Sequence, residues 1–338
     1  MYLHPINTKK RITYVNIPTL KNTGQMQIIR YKTAYKNEWD SFVRKSKNGT
    51  FLLCRDFMDY HSDRFADYSL MFFDEDVLIA ILPANINNNV VYSHQGLTYG
   101  GFILNSNIRS VRVLDIFKEM IYFLRNEKIE TFIYKAIPYI YHRQPSEEDL
   151  YALFRYDAKL ISRSISSVID FSCKIGYNQL RKRKIKQAIK EGVSVSEMEN
   201  FSEFWNILDE NLSAKHNTKP VHTLDEIKLL KEKFPVEIRL FCAEKENKVI
   251  AGCLVFETDK VAHIQYISAN EEGKKCGALD LLFDKLINEI FADKRYFDFG
   301  ISTENGGLLL NEGLISQKEG FGGRGVVYDA YSLNLNEL

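Results

Sequence analysis

Two stretches of this 338-residue chain carry the same apolar stripe. Val113, Ile116, Phe117, Met120, Ile121 and Leu124 fall at i, i+3, i+4, i+7, i+8 and i+11, and Leu279, Leu282, Phe283, Leu286, Ile287 and Ile290 repeat that spacing. Such a period lays one apolar band along a helix, and the band must be buried against another element. The predicted helices run from Ile108 to Asn126 and from Lys275 to Ala292, and each leads into a buried-looking strand, FIYKA or YFDFG. The order upstream is also shared. MQIIRY, the amphipathic YKNEWDSFVRKS, SLMFFD, VLIAILPANI and VVYSHQGLTYGGFI precede the first helix. VSVSEM, helices at 201–213 and 224–233, EIRLFCAE, VIAGCLVFE and VAHIQYISA precede the second. Each half closes on a helical stretch (147–154 or 308–315) and a strand, AKLISRSISSVIDF or VVYDAYSL. Order and spacing, rather than residue identity, predict a tandem duplication with units at 26–171 and 172–338. Residues 1–25 read as an appended arm, because Met26 opens the first clean strand-like run.

Composition narrows the function classes. Lys plus Arg (45) and Asp plus Glu (44) nearly cancel, so no global field draws the chain to nucleic acid or anionic membrane, and any such contact must be local. Hydrophobic residues make up 45% and the mean hydropathy is −0.26, ordinary values for a protein with sizeable cores. The five cysteines form no C-x-x-C pair and read as idle thiols in a reducing, cytoplasmic setting. The longest apolar run, VLIAILPANI, is too short to span a bilayer, and the first twenty residues lack the apolar core of a signal peptide. GFGGRG (320–325) fits the dinucleotide pattern G-x-G-x-x-G, but a strand-like run follows it where a helix is required. No nicotinamide or flavin cofactor is expected. His216 and His222, six apart in KHNTKPVH with no third ligand nearby, make a poor metal site, so no metal is expected either.

The succession strand, two helices, three strands, helix, strand, helix, strand is the order of the GNAT acyltransferase fold. Two such units in one chain resemble the FemABX acyltransferases, and the resemblance runs from Met26 to Leu333. The expected fold class is α/β (α+β): two tandem GNAT-like domains, each a mixed, mostly antiparallel sheet flanked by helices. The resemblance implies that the fourth and fifth strands splay apart, offering backbone groups to a thioester or ester, while the helix between them faces phosphates. In the second half this places NEEGKKCGAL (270–279) at the donor. Gly273 and Gly277 would allow close approach, and Lys274 and Lys275 would add positive charge, although only the central glycine of the family's R/Q-x-x-G-x-G/A loop is kept. The first half has LNSNIRSVRV there, without glycine, so the donor is expected on the second domain and the acceptor on the first.

Asp298, between Phe297 and Phe299 in the fifth strand and followed by Gly300, is the expected general base. Lys318-Glu319-Gly320-Phe321 matches the K-x-x-F part of the FemABX F-K-x-x-F motif, with Gln317 in place of the first aromatic, and Lys318 would stabilise an oxyanion or a donor phosphate. His94 and Tyr99 in YSHQGLTYGG, His216 and His222, and Tyr266 in VAHIQYISA are acceptor-side candidates. Gly96-Leu97 stands where the cell-wall members have Gly-Pro followed by an aspartate, which argues against a muramyl-peptide acceptor. RKRKIKQAIK (181–190) reads either as a solvated amphipathic helix or as a patch for tRNA phosphates or a nucleotide-linked acceptor.

These features predict an N-acyltransferase. It would move an acyl or aminoacyl group from acyl-CoA (acetyl-CoA) or aminoacyl-tRNA to the amine of a small molecule, sugar or peptide, in cell-envelope or surface-polysaccharide biosynthesis. Attack would be direct, since no nucleophile elbow is present. The alternative is a binding or regulatory module on the same fold that has lost catalysis.

Overall fold

A computed structural model describes residues 26–216 and 218–337, the side chains of Lys215 and His216 excepted. The expected arm, residues 1–25, lies outside the described residues. The strands of the first half are β1 (Met26–Arg30), β2 (Ala66–Asp67), β3 (Leu70–Asp74), β4 (Val77–Leu82), β5 (Asn85–Asn87), β6 (Val90–Tyr92), β7 (Ile103–Leu104), β8 (Thr131–Lys135) and β9 (Lys159–Asp170). Its α-helices are α1 (Lys36–Lys45), α2 (Arg55–Met58), α3 (Ser110–Asn126) and α4 (Glu148–Arg155). The second half has β10 (Ser194–Met198), β11 (Ile238–Lys245), β12 (Lys248–Glu257), β13 (Val261–Ala269), β14 (Tyr296–Ile301), β15 (Thr303–Glu304), β16 (Leu309–Leu310) and β17 (Arg324–Asn334). Its helices are α5 (Gln179–Lys190), α6 (Ser202–His216), α7 (Leu224–Lys233), α8 (Glu271–Cys276), α9 (Ala278–Lys285) and α10 (Glu312–Glu319).

The two stripes are buried as their spacing requires. All six stripe residues of α3 are buried in the first-half core. In the second half Leu282, Phe283, Leu286 and Ile287 are buried, while Leu279 and Ile290 are partly buried at the ends. A third core lies between the halves, where Phe51 and Phe57 meet Phe234 and Phe256 through tilted and edge-on ring contacts. Among the described residues, no helix is long and apolar enough to cross a membrane.

The halves do not close separately. Among the described residues, eleven strands form one sheet in the order β10-β11-β12-β13-β14-β9-β17-β8-β6-β5-β2, and β1-β3-β4-β7 form a second. The last strand of each half crosses into the other's territory: β9 lies between β14 and β17, and β17 lies between β9 and β8. The β9–β17 ladder runs antiparallel from Arg324↔Val168 to Ser332↔Lys159. On either side the pattern is mirrored, with β13 parallel to β14 and β6 parallel to β8. The duplication is therefore arranged about a local twofold passing between the two exchanged strands.

Four predicted elements differ. VLIAILPANI is not one strand: it divides into β4 and β5, which lie in different sheets. VVYSHQGLTYGGFI is not one strand: it divides into β6 and β7, joined by a loop in which His94 (φ 72°) and Gly101 (φ 79°) are left-handed. A Cβ on Gly100 would fall 1.7 Å from the Ser93 carbonyl oxygen, so this loop closes tightly on itself. The second long helix is broken at Gly277, whose φ of 83° ends α8 before α9 begins. The last helix starts at Glu312, where Asn311 caps the Leu314 amide, and Leu309–Leu310 form a strand instead.

Exchange of β9 and β17 makes each half dependent on the other for its central sheet. Fragments 26–171 and 172–338 expressed separately are expected to lack cooperative thermal unfolding and to regain it when co-expressed. Circular dichroism melts and size-exclusion chromatography check this.

Candidate active site

The site is built where β13 and β14 part. They pair in parallel only over Val261–His263 against Tyr296–Asp298. Beyond that, β13 stays on β12, while β14 shifts register against β9 between Asp298 and Ile301. Gly300 takes up the turn at a φ of 76°, a conformation costly for other residues. β13 carries its own irregularity: Leu254 pairs with Tyr266 and Val255 with Ile264, leaving Gln265 as the extra residue. The strands open into a cleft of about 540 Å³ bounded by Ile264, Gln265 and Gly300, with Lys135 and Thr98 entering from the first half.

Asp298 sits at the fork, completely buried. Its side chain points away from Phe297 and Phe299, which pack in the second-half core, as strand alternation requires. Five donors converge on it. Tyr141 Oη (2.7 Å), Tyr328 Oη (2.5 Å) and His263 Nδ1 (2.9 Å) reach Oδ2, and the Ser166 hydroxyl and the Gly300 amide (2.9 Å) reach Oδ1. Burial pushes the carboxyl upward, but His263 and the hydrogen bonds outweigh it, so the group stays ionised well below the usual carboxylate range. An ionised carboxylate only accepts, so His263 donates from Nδ1, which leaves Nε2 as the acceptor of the neutral ring. His263 forms part of the cleft wall, whereas Asp298 lies behind it. The expected base is thus one layer from the open space, and its tie to His263 is the route by which it bears on that space.

Lys318, in the last turn of α10, is buried and lines the cleft. Its Nζ donates to the carbonyls of Gly300 (2.7 Å) and Ile301 (2.8 Å), fixing the bulge of β14. Burial lowers its pKa to about 8, partly offset by the charge of Asp298. Phe321 of the same K-x-x-F stretch is buried between Tyr177, Phe283 and Phe299.

The segment expected to cradle phosphates is filled by the chain itself. Gly273 lies within α8, where a Cβ would come 2.3 Å from the Ile250 carbonyl oxygen. A Cβ on Gly277 would come 2.9 Å from that of Lys184 in α5. Lys274 pairs with Glu271 (2.6 Å) and Asn211 (3.0 Å), and the Lys275 carbonyl accepts from Lys184 and Gln187. At the start of α9 the anion position holds the chain's own Asp280, bound to Arg181 at 2.7 Å. Neither glycine has room for a Cβ, so both are needed for packing against α5 and β12, and a pyrophosphate at the α9 N-terminus would share the first turn with the Asp280 carboxylate. Of the basic helix, Arg181 and Lys184 are spent on this packing, while Lys182, Arg183, Lys186 and Lys190 are exposed. Among the described residues, no cluster of His, Cys, Asp and Glu is suited to a metal ion.

The acceptor-side candidates fall elsewhere than the cleft wall. Tyr99 is buried behind it, its ring tilted against that of Tyr141 with centroids 4.6 Å apart and its hydroxyl bonded to Thr50 (3.0 Å). Tyr266 Oη meets His222 Nδ1 at 2.7 Å. Tyr60 stacks on both His222 and His61, and His61 lies beside His94 with ring centroids 5.1 Å apart. The result is a buried histidine–aromatic chain joining the halves. The side chain of His216, at the end of α6, lies outside the described residues.

Reading the sequence by segments missed His263, Tyr141, Tyr328, Ser166 and Lys135. A signal for His263 exists. It interrupts the apolar VAHI run as Asp298 interrupts YFDFG, and the two face each other in parallel register. Tyr141 and Ser166 come from the first half, so only the strand exchange brings them in.

Comparison with known proteins agrees with this architecture. Residues 179–305 match the family model of the acetyltransferase (GNAT) domain. The structure of FemX is similar with a TM-score of 0.65 at 9% identity, covering 92% of this chain and 98% of that one. L-PGS from Bacillus licheniformis gives 0.60 at 12% identity, covering 87% and 90%. The C-terminal domain of a putative lysylphosphatidylglycerol synthetase from Agrobacterium fabrum gives 0.59 at 13%, covering 90% and 93%. No curated protein matches the chain. The chain has a FemABX-like GNAT fold, with two GNAT-like domains in tandem.

Two measurements probe the buried polar groups. Asp298→Asn leaves several donors competing for one amide and is expected to cost about 3 kcal/mol in urea unfolding. Burial lowers His61 and His222 to about 4 and His94 to about 3. Each binds its proton more weakly folded than unfolded, so this stabilisation is complete above the ordinary value of 6.5 and is lost as pH falls toward 4. His94→Asn, which tolerates the left-handed backbone but does not titrate, is expected to shrink the pH 7-to-4.5 stability difference by about 1–2 kcal/mol.

Proposed function

We propose that this chain is an N-acyltransferase in which an amine, held in the cleft between β13 and β14, attacks a donor carbonyl directly. The observation that carries this reading is the Asp298–His263 pair at the fork of the two strands, with His263 on the cleft wall. Asp298 orients His263, whose Nε2 accepts a proton from the attacking amine and returns it to the departing donor group as the tetrahedral intermediate collapses and the bond from the carbonyl carbon to that group breaks. The developing oxyanion is met by the Lys318 ammonium and by backbone amides at the Gln265 irregularity, where the sheet ladder leaves donors unpaired. Lys318 is thereby a charge donor rather than a base.

The donor is an aminoacyl ester carried by tRNA rather than acyl-CoA. The Asp280–Arg181 pair supports this, since it sets a carboxylate in the first turn of α9, the helix start a pyrophosphate would use, and Gly273 and Gly277 are packed against the chain's own backbone. The exposed lysines and arginine of α5 offer a surface for tRNA phosphates. Likeness to a putative lysylphosphatidylglycerol synthetase, named for joining lysine to a lipid, is in keeping with an aminoacyl donor. The acceptor belongs to the first half, in a role in building the cell envelope. The same packing also favours a second reading, a binding module without turnover.

Incubation with aminoacylated total tRNA, with acetyl-CoA and with a small-metabolite extract distinguishes these. Acceptor-dependent loss of the aminoacyl ester, with acetyl-CoA untouched, is the expected result. Consumption of acetyl-CoA alone overturns the donor assignment, and consumption of neither favours the binding module. His263→Gln is expected to lower kcat by about 10²–10⁴-fold with little change in KM or Tm. Because Lys318 must be charged to meet the oxyanion, kcat is expected to fall as pH rises through about 8, and Lys318→Arg to move that limb upward.

A further inference from the structure

The first half contributes a cation to the same cleft that the chemistry just described does not use. Lys135 ends β8, which pairs with β6 as β14 pairs with β13, so Lys135 stands near the local twofold counterpart of the Gly300 bulge. Its Nζ donates to the carbonyls of Gln95 (3.0 Å) and Leu97 (2.9 Å). Lys318 is bonded in the same manner, to two neutral carbonyls. Neither ammonium has a carboxylate hydrogen-bonded to it among the described residues. The acid on the cleft wall, Asp329, has both oxygens taken by Arg163 Nε and Nη2 at 2.7 Å each. Asp298 is saturated by its own five donors. Burial lowers Lys135 to about 8 with no acid opposing it, so at neutral pH it remains charged and uncompensated. A largely desolvated cation without a counter-ion is an expensive arrangement for a fold to keep unless something else neutralises it. Ser164, half-buried, and Thr98, exposed, belong to the same cleft wall. One ammonium and two hydroxyl-bearing residues on one wall are suited to an oxyanion.

We propose that Lys135 is an anion anchor, which with Ser164 and Thr98 holds a carboxylate or phosphate group of the acceptor while its amine faces His263. Only the naming of the acceptor as owner of that group rests on the transfer reading. The amine acceptor then belongs to the class of anionic amines, such as amino acids, acidic peptides or phosphorylated amino sugars, and neutral amines are excluded. Lys135 binds and positions; it takes no part in proton transfer.

Isothermal titration calorimetry of the intact chain with inorganic phosphate and, separately, with acetate tests this without requiring turnover. At least one anion is expected to bind one-to-one; preference for phosphate marks a phosphorylated acceptor, and preference for acetate a carboxylate. Lys135→Gln, which keeps an N–H for the loop carbonyls but drops the charge, is expected to weaken binding at least tenfold. Lys118→Gln on the exposed face of α3 is expected to bind as the wild type does. Should Lys135→Gln fail to fold by circular dichroism, Lys135→Arg takes its place and must retain binding, while Ser164→Ala must weaken it. The proposal is overturned if the wild type binds neither anion, or if Lys135→Gln binds as tightly as the wild type. The transfer reading fails separately, if the wild type consumes neither aminoacyl-tRNA nor acetyl-CoA.

Discussion

One buried carboxylate holds the functional centre together. Asp298 gathers donors from β14 itself, β13, β17, β9 and the turn after β8, so a single charge is satisfied only when both halves of the chain are in place. Without those partners, its desolvation would cost several kcal/mol. The same arrangement that stabilises the charge sets the tautomer of His263, so the energetics of assembly and the readiness of the cleft are one property. A carboxylate this deeply bound is a poor proton acceptor, which is why the proposed mechanism gives the proton to the imidazole and not to Asp298.

The sheet explains how such a centre arises from a duplication. In each half a parallel pair of strands opens at one end, and the neighbour completing the sheet on the far side belongs to the other half. The two openings have diverged. In the second half the opening is a bulged fork with a His–Asp pair and Lys318. In the first, the strand is cut into β6 and β7, and the intervening loop is tied to Lys135. One copy kept the fork; the other kept a cation and gave up the continuous strand.

Much of this was legible from the residues. The two stripes, the order of elements and the polar residue in YFDFG each carry a local period that survives into the structure, because helix and strand burial obey short-range geometry. Lys318 and Phe321 stood out through the resemblance to the FemABX K-x-x-F motif, and both are buried near the fork. What was not legible depends on pairing at long range. No local pattern in AKLISRSISSVIDF says that Ser166 will face Asp298 rather than another part of its own half. The glycines of NEEGKKCGAL show the limit of motif reading: Gly273 and Gly277 signal close approach correctly, but the approaching group is the chain's own backbone. His94 and Tyr99 were singled out as polar groups in an aromatic stretch, and the left-handed turn at His94 sends them into the interior.

The position of β17 has a consequence for how the protein is made. Synthesis proceeds from the N-terminus, so β8 and β9 emerge long before the strand that lies between them. Until residues 324–334 are released, the first half has a gap in its sheet, and Asp298 lacks Tyr328. The nascent chain therefore carries two exposed strand edges and an unfinished site for most of its synthesis, and one late event closes both. A chain truncated shortly before that strand would lose the Tyr328 hydroxyl and the seam between the halves together.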